Sequence, residues 1–447
     1  MGRLFGTDGV RGVANTELTP ELAMGLGRSL VCTLREREAG ACHPRVVLGR
    51  DPRASGEMLE AALVAGICSA GGEAVVIGVI PTPGVAFLVT TLGADSGAMI
   101  SASHNPVEDN GIKFFGRDGF KLSDGEEDRI AALLDEIDPR PPTGASVGRV
   151  RRAYGVIEAY EAHLVATARG ADLSSLRVVV DCANGAASKV APAVLRRLGC
   201  DVTAIHAIPD GTNINDGCGS THPSVVAAAV LDAKADVGLA HDGDADRLIA
   251  VDHMGAMVDG DVILAILAAR MQRKRSLDGV VTTVMTNLGF RQAMERLGVE
   301  VIQTSVGDRC VLDAMRSGGY PLGGEQSGHL IFAEHATTGD GVLTAVQLLT
   351  AVVEEGKTLA QLAQVMRRLP QVLVNVRGVD RGRLDGAERL WKAVAEEEAG
   401  LGSAGRVLVR ASGTEPIVRI MVEADQEAHA TAIADRLAAI AAAELAL

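Results

Sequence analysis

Aromatic side chains are scarce in this sequence, at 2% of its 447 residues. Proteins that bind single-stranded nucleic acid stack bases on such side chains, so that class of protein is not expected. The formal net charge of −14 also disfavours nucleic acid and anionic membrane surfaces as main partners. We therefore expect no nucleic-acid partner and no membrane partner.

Signals for export and membrane anchoring are missing as well. The first ten residues contain no apolar core of a secretory signal. The longest uncharged run, 74–94, contains Pro81 and Pro83, which would break a spanning helix, so we expect a buried strand, a turn and a helix there. The seven cysteines form no C-x-x-C pair, which favours free thiols in a reducing cytoplasm over disulfides or a zinc site.

Hydrophobic residues make up 47% of the chain, and 52 residues are glycine. This composition excludes disordered and fibrous classes and is typical of a globular protein rich in turns. A chain of 447 residues is long enough for two to four domains.

An internal repeat organises most of the chain. Three times, a strand, a helix and a second strand are followed by a strand, a polar loop and another strand. The repeats begin with strands at 45–51, 177–181 and 279–285, and their helices lie near 58–70, 191–198 and 290–297. A smaller unit of three strands and two helices follows Pro370, and segment 137–152 is predicted to be connecting chain. We therefore predict an α/β protein with three similar mixed α/β domains and a C-terminal α+β domain, with domains at 1–155, 156–257, 258–370 and 371–447.

The polar loop of the second repeat carries three carboxylates, Asp242, Asp244 and Asp246. The small residues between them allow the chain to curl, and clustered carboxylates repel one another unless a cation lies among them. An EF-hand is excluded because Arg247 stands where its loop requires glycine. Oxygen ligands favour Mg²⁺, with an acidic turn or helix cap as the alternative.

The polar loop of the first repeat places Ser103 after an apolar strand, where it is a candidate nucleophile. No G-x-S-x-G motif accompanies it, so a phosphoryl acceptor fits better than acyl chemistry. Two loops have the small, hydroxylic and arginine residues that bind phosphate, at 6–12 and at 410–416 with Arg419. No complete P-loop or G-x-G-x-x-G motif is present, so a nucleoside triphosphate substrate is not expected.

The polar loop of the third repeat combines Glu325, Ser327 and His329 among glycines. Carboxylate and hydroxyl oxygens of this kind bind sugar hydroxyls, and the glycines permit close approach. His329 and Lys121 are both candidates for proton transfer, and the residues do not decide between them. For His104, a structural role beside Ser103 is as well supported as a part in proton transfer.

Four of these motifs, at 101–106, 242–247, 324–329 and 410–416, resemble the α-D-phosphohexomutases in sequence and in order, over nearly the whole chain. Within that family, residues 5–12, 109–115 and 324–329 are similar to the bacterial branch that acts on glucosamine phosphates. Gln326 is the most specific of these residues, since relatives acting on glucose or mannose phosphates tend to carry another residue there. The resemblance implies four domains around a central cleft, the last with a TATA-binding-protein-like fold.

The activity implied by the resemblance is isomerisation of glucosamine 6-phosphate to glucosamine 1-phosphate through a phosphoserine enzyme and a 1,6-bisphosphate. By the same resemblance Ser103 is the phosphoserine, and one Mg²⁺ per chain is held by Ser103, Asp242, Asp244 and Asp246. Glu325 and Ser327 would bind the sugar, while the non-reacting phosphate would be held by Arg410, Ser412, Gly413, Thr414 and Arg419. Arg11, Lys121, Arg247 and His329 would support the transfer.

Several alternatives remain open at this point. The same chemistry on glucose or mannose phosphates is the nearest one, and a catalytically silent sugar-phosphate sensor and a metal-dependent phosphatase are two others. Where the family has Gly-Asp-Arg-Tyr, this chain has Gly307-Asp308-Arg309-Cys310, which puts a local contact in doubt. The sequence leaves the oligomeric state undecided, with a homodimer as one alternative.

Overall fold

A computed structural model describes residues 3–6, 8–37, 43–135, 141–412 and 417–447. Contacts divide the chain into two units, each with its own core. The first unit comprises Met1–Val284 and Glu300–Gln364, and the second comprises Met285–Val299 and Val365–Leu447.

The first sheet belongs to the N-terminal repeat and has six strands in the order β1-β5-β4-β2-β3-β6. Its strands are β1 (Val10–Val13), β2 (Arg45–Arg50), β3 (Glu73–Val79), β4 (Ser96–Ile100), β5 (Asp109–Gly116) and β6 (Val150–Arg152). Its helices are α1 (Pro20–Arg37), α2 (Ala54–Ser69), α3 (Thr82–Thr91) and α4 (Asp124–Ala132). Strands β2, β3, β4 and β6 run parallel, whereas β5 turns back antiparallel to β4.

Helices α1 and α2 cover one face of this sheet with leucines that are fully buried. Their backbones meet at glycines: a Cβ at Gly66 would lie 2.0 Å from the carbonyl oxygen of Met24. The run 74–94 forms β3 and then α3, with Pro81 between them, as the sequence predicted. The sequence predicted connecting chain over 137–152, but Val150–Arg152 forms an edge strand that pairs with β3. Only the backbone of β6 joins the sheet, and its side chains remain exposed, so the sequence carries no apolar signal for this strand.

The second sheet has five strands in the order β11-β10-β9-β7-β8. Its strands are β7 (Arg177–Asp181), β8 (Asp201–Ile205), β9 (Val237–His241), β10 (Leu248–Asp252) and β11 (Met257–Val258), and the associated helices are α5 (Ile157–Thr167), α6 (Ala187–Arg197) and α7 (Pro223–Ala233). Strand β9 is buried along its whole length, which fits the small and apolar residues that precede His241. It runs parallel to β7 and then turns back into β10.

The third sheet has four strands in the order β13-β12-β14-β15. Its strands are β12 (Gly279–Thr283), β13 (Glu300–Thr304), β14 (Leu322–Gly324) and β15 (Leu330–Phe332). The helices along this part of the chain are α8 (Gly260–Arg275), α9 (Leu288–Leu297), α10 (Asp308–Gly318), α11 (Gly341–Glu355) and α12 (Leu359–Ala363). Helix α9 falls in the second unit, where the Leu288 N–H donates to Glu423 at 3.0 Å.

The C-terminal sheet has three antiparallel strands in the order β16-β18-β17. Its elements are β16 (Gln371–Arg377), β17 (Arg406–Ala411), β18 (Ile417–Glu423), α13 (Glu388–Leu401) and α14 (Glu427–Glu444). Leu390 and Leu437, one from each helix, are fully buried against the sheet in one hydrophobic core.

The predicted fold class is confirmed: three similar mixed α/β sheets precede a smaller α+β sheet. In each of the first three, a parallel strand ends in a polar loop and the chain returns antiparallel, which places the loop at the carboxyl edge of the sheet. In the described ranges, each helix is too short or too polar to cross a bilayer.

Candidate active site

Ser103 lies in the loop between β4 and β5 and is buried, with 1% of its surface exposed. Its backbone φ is +54°, a left-handed conformation that is uncommon for serine. The Ser103 N–H donates to the Ser101 hydroxyl at 2.9 Å, and that hydroxyl donates to Asp51 at 2.6 Å. The strained residue is therefore held by a buried hydrogen-bond chain, as is common at functional sites.

Two further side chains hold the carbonyl groups of this loop, and neither was singled out from the sequence. Arg53, with 0% exposure, donates to the carbonyls of Ser103 at 3.0 Å and Asn105 at 2.8 Å, and also to those of Pro106 and Asp109. Asn215 donates to the Ser103 and Asn105 carbonyls at 2.9 and 3.0 Å. Backbone carbonyls carry no sequence signal, so this clamp could not be read from residue patterns.

The Ser103 hydroxyl donates to Asp242 at 2.6 Å, which joins the first polar loop to the second. The loops also fit closely as backbones, because a Cβ at Gly243 would lie 2.4 Å from the Ser103 carbonyl oxygen. The Thr82 N–H donates to the Asp244 carbonyl at 3.0 Å, and the Thr82 hydroxyl donates to the Asp244 carboxylate at 2.6 Å. The polar loops at 101–106 and 242–247 are thus in direct contact around Ser103.

Asp242, Asp244 and Asp246 are all buried, and one carboxylate oxygen from each lies within 4.8 Å of the other two. The curl expected from the small spacers is present, with Ala245 at φ +57°. Within the described residues, Asp244 Oδ1 and Asp246 Oδ1 are buried without a hydrogen-bond partner. Burial, followed by repulsion from Asp246 and Asp244, raises the pKa of Asp242. Orphaned oxygens in a buried, mutually repelling group fit a hard divalent cation such as Mg²⁺.

Lys113 contacts this carboxylate group and was missed in the sequence analysis. Its Nζ lies 3.2 Å from Asp244 Oδ2 and 3.6 Å from Asp8 Oδ1, and the side chain is 2% exposed. Burial opposes its charge, but Asp244 and Asp8 outweigh that and raise the pKa of Lys113. The available signal was a lysine inside the apolar strand 112–115, since a lysine is almost never buried without a partner.

Lys121 and Arg11 both contact Asp8. Lys121 Nζ lies 2.8 Å from Asp8 and also pairs with Asp308, while Arg11 Nη2 lies 2.6 Å from Asp8. Burial opposes the charge of Lys121, but Asp308 and Asp8 raise its pKa further above the usual range. Lys121 therefore remains charged at neutral pH and is a poor proton acceptor.

His329 lies between two carboxylates. Its Nδ1 is 3.5 Å from Asp246 and its Nε2 is 3.8 Å from Asp308. Burial and the Gly339 N–H, which donates to Nε2 at 3.1 Å, oppose protonation, whereas the two carboxylates favour it. The carboxylates prevail and raise the pKa of His329 to about 8, near the range where a group both accepts and donates a proton.

Arg247 follows the carboxylate loop, with its Nε 3.8 Å from Asp246. In the part of the chain that the structure describes, this Nε is buried without a hydrogen-bond partner. His104 Nδ1 lies 3.2 Å from the Ser103 hydroxyl, and burial, followed by Arg247 and Arg11, lowers the pKa of His104. Arg247 and Arg11 thus place positive charge close to His104, beside Ser103.

The third polar loop lies between β14 and β15, as predicted. Glu325 accepts the Gly307 N–H at 3.2 Å, and the Ser327 hydroxyl is buried with no hydrogen-bond partner among the described residues. A cavity of about 570 Å³ in the same unit is lined by Lys121, Asp308 and His329. The loop therefore retains a polar group that a ligand could satisfy.

The predicted phosphate-binding residues lie in the second unit. Arg410 on β17 pairs in register with Arg419 on β18, and Ser412 follows at the end of β17 and is buried. Burial, followed by repulsion from Arg419, lowers the pKa of Arg410. Two adjacent guanidinium groups favour an anionic ligand. Gly413 and Thr414 lie outside the described residues.

The structure brings most predicted residues of the first unit into one contact network. Ser103, Asp242, Asp244, Asp246, Arg247 and His329 are joined through the contacts above, and Lys121 and Arg11 join them through Asp8 and Asp308. Asp308 is a further member not assigned from sequence. Asp308 is the first residue of α10. Two residues later lies Cys310, which stands where the family motif has tyrosine and is exposed.

Comparison with known protein families gives matches along the chain. Residues 2–141, 158–255 and 259–369 match the alpha/beta/alpha domains I, II and III of phosphoglucomutase/phosphomannomutase. Residues 373–440 match the C-terminal domain of the same family.

Curated relatives include the phosphoglucosamine mutases of Kineococcus radiotolerans and Streptomyces coelicolor. The chain is 55% identical to that of Kineococcus radiotolerans over 455 residues, covering 100% of each chain. It is 56% identical to that of Streptomyces coelicolor over 445 residues, covering 98% of each.

Solved structures share the fold. A phosphoglucomutase/phosphomannomutase family protein of Burkholderia thailandensis superposes with a TM-score of 0.82 at 24% identity, covering 99% of this chain and 97% of the other. An N-acetylphosphoglucosamine mutase of Aspergillus fumigatus, solved in complex with GlcNAc-6P and magnesium, gives a TM-score of 0.69 at 18% identity, covering 98% and 95%.

Proposed function

The chain belongs to the phosphoglucomutase/phosphomannomutase family, and on that premise we propose that it is an isomerase that interconverts glucosamine 6-phosphate and glucosamine 1-phosphate. Full-length relatives at 55% and 56% identity carry the name phosphoglucosamine mutase, which favours a glucosamine phosphate over glucose or mannose phosphates. The product would supply UDP-N-acetylglucosamine and peptidoglycan precursors, in the cytoplasm.

One observation carries the chemical part of the proposal: the buried Ser103 hydroxyl donates to Asp242 at 2.6 Å inside a three-carboxylate group. A serine in this position fits phosphoryl transfer, with Asp242, Asp244 and Asp246 as the residues that would hold one Mg²⁺. When bound, Mg²⁺ would offset negative charge on a transferring phosphoryl group.

In the proposed reaction, Ser103 carries a phosphoryl group at the start of each cycle. The bond between its Oγ and phosphorus breaks as the O1 hydroxyl oxygen of glucosamine 6-phosphate bonds to that phosphorus. The O1 proton passes to a nearby base, and the bond electrons remain on Oγ. The 1,6-bisphosphate then turns. Its O6–phosphorus bond breaks as the Ser103 Oγ bonds to that phosphorus, O6 takes the proton back from the base, and glucosamine 1-phosphate is released.

We assign the proton transfer to His329. Its pKa of about 8 lies nearer to neutrality than that of Lys121, which two carboxylates hold in the charged form. Lys121 and Arg11 would instead offset negative charge together with Arg247 and the buried Lys113. Residue types alone left both Lys121 and His329 open as candidates.

Substrate binding is assigned to two groups. Glu325 and Ser327 would bind sugar hydroxyls, since the Ser327 hydroxyl is a buried polar group without a partner in the described ranges. Arg410, Ser412, Gly413, Thr414 and Arg419 would hold the phosphate that does not react. Small-molecule hexosamine phosphates are therefore the expected partners, and a homodimer remains one alternative for the assembly.

The proposal is tested by following glucosamine 6-phosphate turnover by phosphorus NMR, with Mg²⁺ and a catalytic amount of bisphosphate. The Ser103→Ala variant should lose steady mutase turnover, whereas Ser174→Ala, a change at an exposed serine, should retain it. Full activity of Ser103→Ala would refute the assignment. If the same assay showed preferential turnover of glucose 1-phosphate or mannose 1-phosphate, that sugar phosphate would be the substrate in place of glucosamine phosphate.

A further inference from the structure

A second group of ligand-type side chains lies in domain II, apart from the three carboxylates. Asp181 is the last residue of β7, His206 directly follows β8, and Cys218 precedes the short 3-10 helix Gly219–Thr221. Because β7 and β8 are parallel, with Asp181 opposite Ile205, the first two side chains meet at the carboxyl edge of the sheet. Cys218 reaches the same place from the loop after β8.

The geometry of this group fits ligands that share an ion. One donor atom from each residue lies within 4.8 Å of the other two, and Asp181 and Cys218 have 0% exposure. His206 Nδ1 lies 3.1 Å from Asp181 Oδ2, yet within the described residues this buried nitrogen has no hydrogen-bond partner. Two ligands bound to one tetrahedral ion at about 2.0–2.1 Å are separated by about 3.4 Å, so the observed spacing is close to that of a shared ion.

The donor types differ from those of the Mg²⁺ group. A carboxylate, an imidazole and a thiol together favour zinc and similar transition ions, whereas magnesium prefers oxygen ligands alone. We propose that Asp181, His206 and Cys218 form a second metal site for a zinc-like divalent transition ion. The His206 side chain is 33% exposed, so the group borders solvent, and a water would be the fourth ligand of the ion.

The thiol also makes the site distinguishable by experiment. Burial, together with Asp181 and Asp216, raises the pKa of Cys218 to about 12, so the free thiol stays protonated at neutral pH. Metal binding must displace this proton, and thiolate formation at Cys218 therefore reports the ion.

Two of the proposed ligands, His206 and Cys218, are the end residues of segment 206–218, and this segment contains Asn215, which contacts the Ser103 loop. Asn215, three residues before Cys218, donates to the carbonyls of Ser103 and Asn105. Its own N–H donates to the Ala183 carbonyl at 2.9 Å, two residues after Asp181. An ion that ties His206 to Cys218 would close segment 206–218 and restrain Asn215, so its role is positional.

Cobalt(II) is the probe, added to folded protein with saturating Mg²⁺ so that the carboxylate group is occupied. The parent protein for this test carries Cys310→Ser, because Cys310 is exposed and could bind cobalt nonspecifically. We expect a near-ultraviolet thiolate-to-cobalt absorption band that saturates at one equivalent, which an all-oxygen site cannot produce. Adding Zn²⁺ should abolish the band by displacement.

Variants in that parent decide the ligand identities. Cys218→Ser should remove the band, His206→Gln should weaken cobalt affinity at least tenfold, and Cys68→Ser, a matched change at another free cysteine, should leave it unaltered. If Cys218→Ser fails to fold, His206→Gln still tests the site, because the half-exposed imidazole can be replaced with less disturbance. Absence of the band in the parent, or its persistence in Cys218→Ser, would overturn the proposal.

Discussion

Arg53→Lys tests whether the clamp on the Ser103 loop is as important as its contacts indicate. The substitution keeps the positive charge beside Asp51, which lies 2.9 Å from Arg53 Nε, but removes the planar fork that reaches four backbone carbonyls. A lysine ammonium in the same space can satisfy only part of that set. At least two carbonyls would be left buried without their charged donor.

Each hydrogen bond to a charged group contributes about 1.5–3 kcal/mol, so the loss of two should lower the free energy of unfolding by about 3–6 kcal/mol. Activity should fall further than stability alone explains, because displacement of the nucleophile by about 1 Å costs on the order of 100-fold in rate. Urea unfolding and the phosphorus NMR turnover assay measure the two effects separately in protein that is still folded.

Arg177→Lys is the matched control, since Arg177 is half-exposed and its Nε lies 3.8 Å from Asp236. That change should alter the free energy of unfolding by about 0.5 kcal/mol or less. If Arg53→Lys lost less than about 1 kcal/mol and kept full turnover, the clamp would not be holding the loop in the way described.

Three further outcomes follow from the site. In metal-free protein, protonated His329 should contribute about 2 kcal/mol to the free energy of unfolding. This contribution is fully present below the unfolded pKa of about 6.5 and is lost as pH rises through the folded pKa of about 8. A difference in unfolding free energy between wild type and His329→Gln that does not change with pH would contradict this. Mg²⁺ at a hundredfold excess over its Kd should stabilise the protein by about 2.7 kcal/mol, and an equal thermal shift in Asp244→Asn would exclude that carboxylate as a ligand. Arg410→Gln should raise KM for glucosamine 6-phosphate by about 10- to 100-fold without changing the unfolding midpoint, so an unchanged KM would remove Arg410 from the phosphate site.

The repeat and its polar loops could be predicted from sequence because each depends on local order along the chain. Each of the three strands is followed by a polar residue, at Ser101, Asp242 and Glu325, which marks where the strand ends, and the structure confirms a polar loop after each one. Helix starts were placed late, as at α2, which begins at Ala54 and not near 58, because the first turn of a helix carries few apolar residues.

Contacts between distant segments could not be predicted in the same way. A lysine inside an apolar strand signals that Lys113 has a buried partner, but the sequence does not show that this partner is Asp244, 131 residues away. Asn215 lies 112 residues from Ser103, and it contacts a backbone carbonyl that every residue possesses. The edge strand β6 was missed because its side chains are exposed and mostly basic, as in a loop, although its backbone pairs with β3.

The proposed second metal site escaped detection for a related reason. Sequence motifs for zinc depend on pairs of ligands close together, whereas Asp181, His206 and Cys218 come singly from three segments. Only the parallel pairing of β7 and β8 brings the first two together.

The close backbone fit at Gly243 has a consequence for protein engineering. A chimera that takes domain I from one relative and domain II from another must reproduce the approach of position 243 to the Ser103 carbonyl, where a side chain would lie at 2.4 Å. Exchange across this boundary therefore requires glycine at 243 in the donor of domain II, whatever its overall identity.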